Sequence, residues 1–179
     1  MLQKDNRYKI LKIFFEDPLT EGIGFHLREI SRRSAIAPPS VKEYLKELEK
    51  SGLIIKVKHR LHKYPVYYAN RDNEYFKFLK KLDTMMMIRE CGLLDYLYNK
   101  SMADAIVLFG SASIGEDLKD SDLDIFLLSG PVKLELEKYE KKLSRKINPF
   151  FSKSLNKLSK ELKNNIINGI ILKGYLKVF

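Results

Sequence analysis

Residues 110–128 read GSASIGEDLKDSDLDIFLL, and this stretch decides the fold of the C-terminal half. It follows the apolar run 105–109 and ends in a second apolar run, 125–128, so the order is strand, tight turn, short helix, strand. Side chains alternate along a strand, which sends Asp122 and Asp124 to the same side, about 7 Å apart along the chain. Two carboxylates so placed suit a hard divalent cation such as Mg²⁺ or Mn²⁺, which binds through one or two carboxylates plus substrate phosphates. Gly110 lets the backbone approach a ligand closely. Ser111 and the following amides sit where the start of a helix faces a phosphate.

Gly110, Ser111, Gly115, Ser121, Asp122 and Asp124 match, in identity and spacing, a pattern G-S-x-x-x-G followed by S-D-x-D. The stretch resembles the signature of the DNA polymerase β-like nucleotidyltransferase superfamily, in particular its minimal nucleotidyltransferase branch. The resemblance implies that Gly110, Ser111, Gly115 and Ser121 bind a nucleoside triphosphate and that Asp122 and Asp124 are metal ligands and catalytic. It further implies transfer of a nucleotidyl group to an acceptor hydroxyl by two metals held by three carboxylates. In the family the third carboxylate comes from a later strand, and here the next strand-like segment is 146–151, while residues 141–160 contain no Asp or Glu. Asn148 or Phe150 falls near the expected position, and neither supplies a negative charge. Many relatives carry an Arg just before the second glycine, where this chain has Ile114.

The N-terminal half reads differently. Ile10, Leu11, Ile13 and Phe14 give a helix over 6–16, stopped by Asp17-Pro18. A second short helix spans 25–33, with His26 at its start, and a turn at 36–38 leads to a third with Pro39 at its first position. That helix turns Val41, Leu45 and Leu48 inward, ends at Gly52, and offers Ser40, Lys42, Glu43, Tyr44 and Lys46 on its other face. Strand-like runs at 53–58 and 65–69 follow, joined by the basic turn His59-Arg60-Leu61-His62-Lys63. Three helices followed by a β-hairpin is the order of a winged helix, and residues 27–69 look like that family of helix-turn-helix domains. Between Glu49 and Asp72 there are six Lys or Arg and no acid, charge suited to phosphate contact. The expected partner is double-stranded DNA, contacted by Pro39, Ser40, Lys42, Glu43, Tyr44, Lys46, Lys58, Arg60 and Lys63. His59 and His62 have no Cys or acidic neighbour at ligand spacing, which argues against zinc.

The 179 residues are 45% hydrophobic and 31% charged, which excludes a disordered chain. The longest apolar runs fall well short of the ~18 residues that cross a bilayer, and the N-terminus lacks the apolar core of a signal peptide. The expectation is a cytoplasmic protein without membrane association. Net charge of +10 suits a polyanionic partner. The single Cys91 excludes an internal disulfide and reads as a small apolar side chain.

These readings give an α+β protein with an N-terminal winged helix (three helices plus a β-hairpin) over 1–72, a linking helical region over 73–102, and a C-terminal nucleotidyltransferase fold over 103–179. The C-terminal part is expected to have a mixed sheet with flanking helices. The linking region carries an apolar stripe of Phe76, Leu79, Leu82, Met86, Leu93, Leu94 and Leu97, interrupted near Gly92, which packs between the domains or against its copy in a homodimer. Beyond the Asp pair, helices are expected over 132–144 and 155–167, with strands at 147–152 and 170–174. Pro149 puts its strand at a sheet edge or a bulge. Two functions compete. One is a DNA-binding transcriptional regulator whose C-terminal domain binds a nucleotide or related phosphorylated ligand with a divalent metal and weak or no turnover. The other is a Mg-dependent nucleotidyltransferase acting on a protein, RNA or small-molecule hydroxyl. Minimal nucleotidyltransferases of similar signature act as antitoxins, so the resemblance also implies a partner protein encoded nearby.

Overall fold

The computed structural model describes residues 5–18, 23–59 and 64–177. The chain divides into two compact units, Met1–Lys80 and Lys81–Phe179.

In the first unit, α1 (Asn6–Glu16) starts at Asp5, whose carboxylate accepts the Arg7 and Tyr8 backbone N–H groups at 2.8 and 3.3 Å. After β1 (Phe25–His26) come α2 (Leu27–Ser34) and α3 (Pro38–Lys50). The helix α3 begins one residue earlier than expected, at Pro38. Pro39 is its second position, and both prolines occupy first-turn sites whose N–H groups have no partner in the helix. Its C-terminus closes as a Schellman motif, with Gly52 N–H on Glu49 O at 2.9 Å and Leu53 N–H on Leu48 O at 3.0 Å. The wing is β2 (Ile54–Lys58) and β3 (Pro65–Ala69), antiparallel, and β1 adds a third strand in the order β1-β3-β2. Residues 25 and 26 are therefore strand, whereas the sequence placed them in the second helix. Phe25 pairs with Tyr67 on β3 and packs edge-on against Phe14 at 5.4 Å, and this tertiary contact overrides local helical preference. Phe14, Ile10, Ile30, Val41 and Leu45 are fully buried in the core, each worth roughly 1.5–3 kcal/mol relative to exposure.

The linking region forms α4 (Glu74–Glu90) and α5 (Leu93–Ser101), broken at Gly92. The expected stripe holds at Phe76, Leu93, Leu94 and Leu97, which are buried, but not in the middle of α4. There Lys80, Asp83 and Thr84 are buried while Leu82 and Met86 are half-buried.

In the second unit β4 (Ala105–Phe109) is followed by α6 (Ser111–Ile114), β5 (Leu123–Leu128), α7 (Glu137–Leu143), β6 (Ile147–Ser152), a 3₁₀ turn (Leu155–Lys157), α8 (Lys160–Ile167) and β7 (Ile170–Gly174). The sheet order is β6-β5-β4-β7, mixed as expected, with β5–β6 parallel and the other two pairs antiparallel. Pro149 lies on the edge strand β6. One face of the sheet, with Ile106, Leu108, Leu123, Ile125 and Ile147, packs with Leu93, Leu94 and Leu97 of α5 and with Tyr139 and Leu143 of α7. On the other face Val107, Phe109 and Phe126 pack with Leu155 and Ile166.

Two helix expectations are corrected. Residues 132–136 are not helical and α7 starts only after Leu136, with Val132, Leu134 and Leu136 half-buried and Lys133 and Glu135 exposed, a period of two rather than 3.6. Residues 155–167 split into the 3₁₀ turn and α8, since Ser154 and Ser159 each cap a new start, accepting Asn156 N–H and Leu162 N–H at 3.2 Å. Among the described residues no helix is long and apolar enough to cross a membrane.

Candidate functional site

The C-terminal site grows from the β4–α6 turn and the adjoining ends of β5 and β6. Gly110 has φ +70, and a Cβ there would meet Asp124 Oδ2 at 2.5 Å, so only glycine admits both the turn and the carboxylate beside it. Ser113 Oγ donates to Gly110 O at 2.7 Å and fixes the turn from within. Gly115 ends α6 in the left-handed conformation at φ +77. Ser111 opens α6, and among the described residues its hydroxyl makes no hydrogen bond. The hydroxyl of Ser121 instead accepts the Leu118 N–H at 2.8 Å and ties the loop leading to Asp122.

Parallel pairing sets Asp124 opposite Asn148. The Asn148 Nδ2 donates to Asp122 Oδ2 at 3.0 Å and to Asp124 Oδ1 at 3.3 Å, so one amide bridges both carboxylates. Of the two residues considered from sequence for the third-carboxylate position, Asn148 is the one that meets the Asp pair. Phe150 lies two residues along on the same side, its ring edge-on to Phe109 at 5.6 Å. The donor set fits a cation, because two carboxylates already converge on a pair of polarised N–H bonds. A half-turn of the Asn148 amide would present Oδ1 in their place. Among the described residues no cluster of three or more His, Cys, Asp or Glu could hold a metal ion.

Sequence reasoning missed the residue that holds Asp122 in place. The Arg145 guanidinium donates from Nε to Ser121 O at 2.7 Å, from Nη1 to Asp117 Oδ2 at 2.9 Å and from Nη2 to Asp122 O at 3.2 Å. The Arg145 and Asp117 side chains are only 9% and 5% exposed. A signal existed, because Arg145 is the only arginine beyond Arg89 in a lysine-rich half. A planar five-donor fork does what a lysine cannot.

On the N-terminal unit, Pro39, Ser40, Lys42, Glu43 and Lys46 are exposed along α3, as is Lys58 at the end of β2. Lys46 is paired with Glu43 at 2.9 Å. Tyr44 is half-buried and packs against the core, so much of its ring is structural. Arg60 and Lys63 lie outside the described residues. His26 and His59 both pack on the Tyr64 ring, at centroid distances of 4.6 and 4.9 Å.

Comparison with known families agrees with these two geometries. Residues 92–175 match the family model described as Polymerase beta, Nucleotidyltransferase. Residues 26–55 match the model for winged helix-turn-helix DNA-binding domains. The chain is a winged helix-turn-helix DNA-binding domain fused to a nucleotidyltransferase domain of the polymerase β type. Searches of curated proteins and of solved structures give no match.

Proposed function

We propose that the protein is a cytoplasmic DNA-binding transcriptional regulator whose C-terminal domain binds a nucleotide or related phosphorylated ligand with one Mg²⁺ or Mn²⁺ and little or no turnover. The observation that carries this reading is the Asn148 amide bridging Asp122 and Asp124. Two-metal transfer uses one ion for the phosphates and a second to activate the attacking hydroxyl. Asp122 and Asp124 hold the ligand-side cation, which when bound neutralises phosphate charge. Asn148 contributes a neutral group where the second ion needs a negative ligand. Gly110 gives the phosphates close backbone approach, and Ser111 donates its hydroxyl to a phosphate oxygen. Gly115 and Ser121 shape the two ends of the loop. At the N-terminal unit α3 enters the major groove, with Ser40 and Lys42 toward the bases, and Lys58, Arg60 and Lys63 of the wing contact phosphates. Two copies joined through the linking helix match two half-sites. The exposed Tyr75 and Phe78 rings, stacked at 6.3 Å on α4, support that contact.

The test has two arms. Nucleoside triphosphate with Mg²⁺ should stabilise the wild type by about 2.7 kcal/mol at 100 times its Kd. The double variant Asp122→Asn, Asp124→Asn should lose this effect and keep its fold. Incubation with labelled triphosphates and cell extract should give little transfer, rising in Asn148→Asp. The intact Gly110-Ser111 turn and Asp pair favour the second reading, an active nucleotidyltransferase that works beside a partner protein encoded nearby. Rapid wild-type labelling of an acceptor, abolished by Asp122→Asn, would establish that reading over the first.

A further inference from the structure

Phe150 is an apolar ring left open on the side of the sheet that carries the Asp pair. On that side Val107, Phe109 and Phe126 are at most 5% exposed, whereas Phe150 is 43% exposed. Residues two apart on a strand share a face, so Phe150 follows Asn148 at about 7 Å along β6. Its partner across the pair is Phe126, and its edge contact is Phe109. Because β6 ends the sheet, no further strand among the described residues covers its flank. The ring is thus held from one side by aromatic packing and presents its other side to solvent, one strand repeat from the bridged carboxylates.

We propose that Phe150 is the platform on which the base of the bound ligand stacks. This rests on the cation-and-phosphate reading of Asp122 and Asp124 and narrows its ligand class. The site takes a nucleotide, with phosphates toward Gly110, Ser111 and the Asp pair and its base on Phe150, and does not take a bare phosphate ester equally well. Every base has a π face, and Phe109 and Phe126 beside Phe150 carry no hydrogen-bonding group, while of its neighbours along β6 on this face the Asn148 amide is engaged by the Asp pair and the Ser152 hydroxyl donates to Ser154 O at 2.8 Å. The platform therefore accepts all four bases, purines more tightly than pyrimidines because their overlap with the ring is larger.

The experiment is titration calorimetry of the full chain with Mg²⁺ and ATP, UTP or inorganic tripolyphosphate, on wild type, Phe150→Leu and Phe150→Trp. One base stacked on an aromatic ring corresponds to roughly tenfold to a hundredfold in affinity. Wild type should prefer ATP to tripolyphosphate by that factor and ATP to UTP by a few-fold. Phe150→Leu, which keeps an apolar contact for Phe109, should erase the preference while binding tripolyphosphate like wild type. Phe150→Trp should keep or enlarge it. Equal binding of ATP and tripolyphosphate by wild type, or an unchanged ATP preference in Phe150→Leu, overturns the platform alone. Binding of neither compound by wild type overturns the cation-and-phosphate reading and the platform with it.

Discussion

Replacing Arg145 by Met tests how the Asp122 loop is held. The side chain sits 9% exposed, and its guanidinium serves the Asp117 carboxylate and the Ser121 and Asp122 carbonyls. Methionine fills similar space but leaves the 5% exposed Asp117 side chain without its guanidinium. Removing one partner of a buried ion pair costs about 3–5 kcal/mol, mostly for the charge left behind. Urea melts followed by circular dichroism should show that loss in the transition of the C-terminal unit. Adding Asp117→Asn removes the buried carboxylate charge, so the double variant should recover at least about 1 kcal/mol of it. Arg145→Lys separates charge from geometry, since an ammonium cannot reach three acceptors in the guanidinium's fixed plane. It should keep more stability than Met yet weaken Mn²⁺ binding roughly tenfold, through a looser Asp122 backbone. A double variant no more stable than Arg145→Met, or full Mn²⁺ affinity in Arg145→Lys, would refute the reasoning.

Gly110→Ala places a Cβ 2.5 Å from Asp124 Oδ2 at φ +70, ψ -159, a region essentially confined to glycine, and should cost about 1–3 kcal/mol in backbone strain alone. Calorimetry should then show Mg²⁺-nucleotide binding lost as Asp124 is displaced. For DNA, affinity should fall with salt at a log–log slope of roughly −0.9 per phosphate contact, and the triple change Lys58→Ala, Arg60→Ala, Lys63→Ala should weaken all sequences alike. Unchanged affinity in filter binding would remove the wing from the interface, whereas Ser40→Ala should alter sequence preference. At Asp5, slight burial opposes ionisation, but the Tyr8 and Arg7 backbone N–H groups and the Arg7 guanidinium outweigh it and hold the carboxyl below its ordinary value. Its contribution is therefore full above the unfolded pKa and lost as pH falls through the lower folded one. Asp5→Ala should cost about 1 kcal/mol near pH 7 and less once the carboxyl is protonated in both folded and unfolded chains, well below about pH 4, where the neutral group keeps an acceptor but no charge, as thermal melts across pH will show.

Strands at 65–69, 105–109, 147–152 and 170–174 were legible because each is an apolar run bounded by turn residues, and helix 6–16 because its period is clean. The six signature residues were legible for the same reason, since local spacing fixes a turn and the strand end beside it. Choosing Asn148 over Phe150 was not possible from sequence, because the parallel register opposite Asp124 is set by how α7 and the non-helical segment before it return the chain. Arg145 belongs to no motif, and although its type stands out among lysines, its three acceptors come together only in the folded loop. The period-two burial of residues 132–136 was visible in their alternation, but the long charged run behind it suggested a helix that began too early. The two-residue strand β1 exists only through its pairing with β3 and leaves no local trace.

The residue after Asn148 is Pro149. Asparagine ages to aspartate when the next backbone nitrogen, bearing its hydrogen, closes on the side-chain carbonyl and expels ammonia. A prolyl nitrogen has no hydrogen to give up. The amide between Asp122 and Asp124 is thereby shielded from the spontaneous chemistry that would turn it into a third carboxylate. The site's charge is guarded by its neighbour in sequence against the fastest route by which an asparagine gains one.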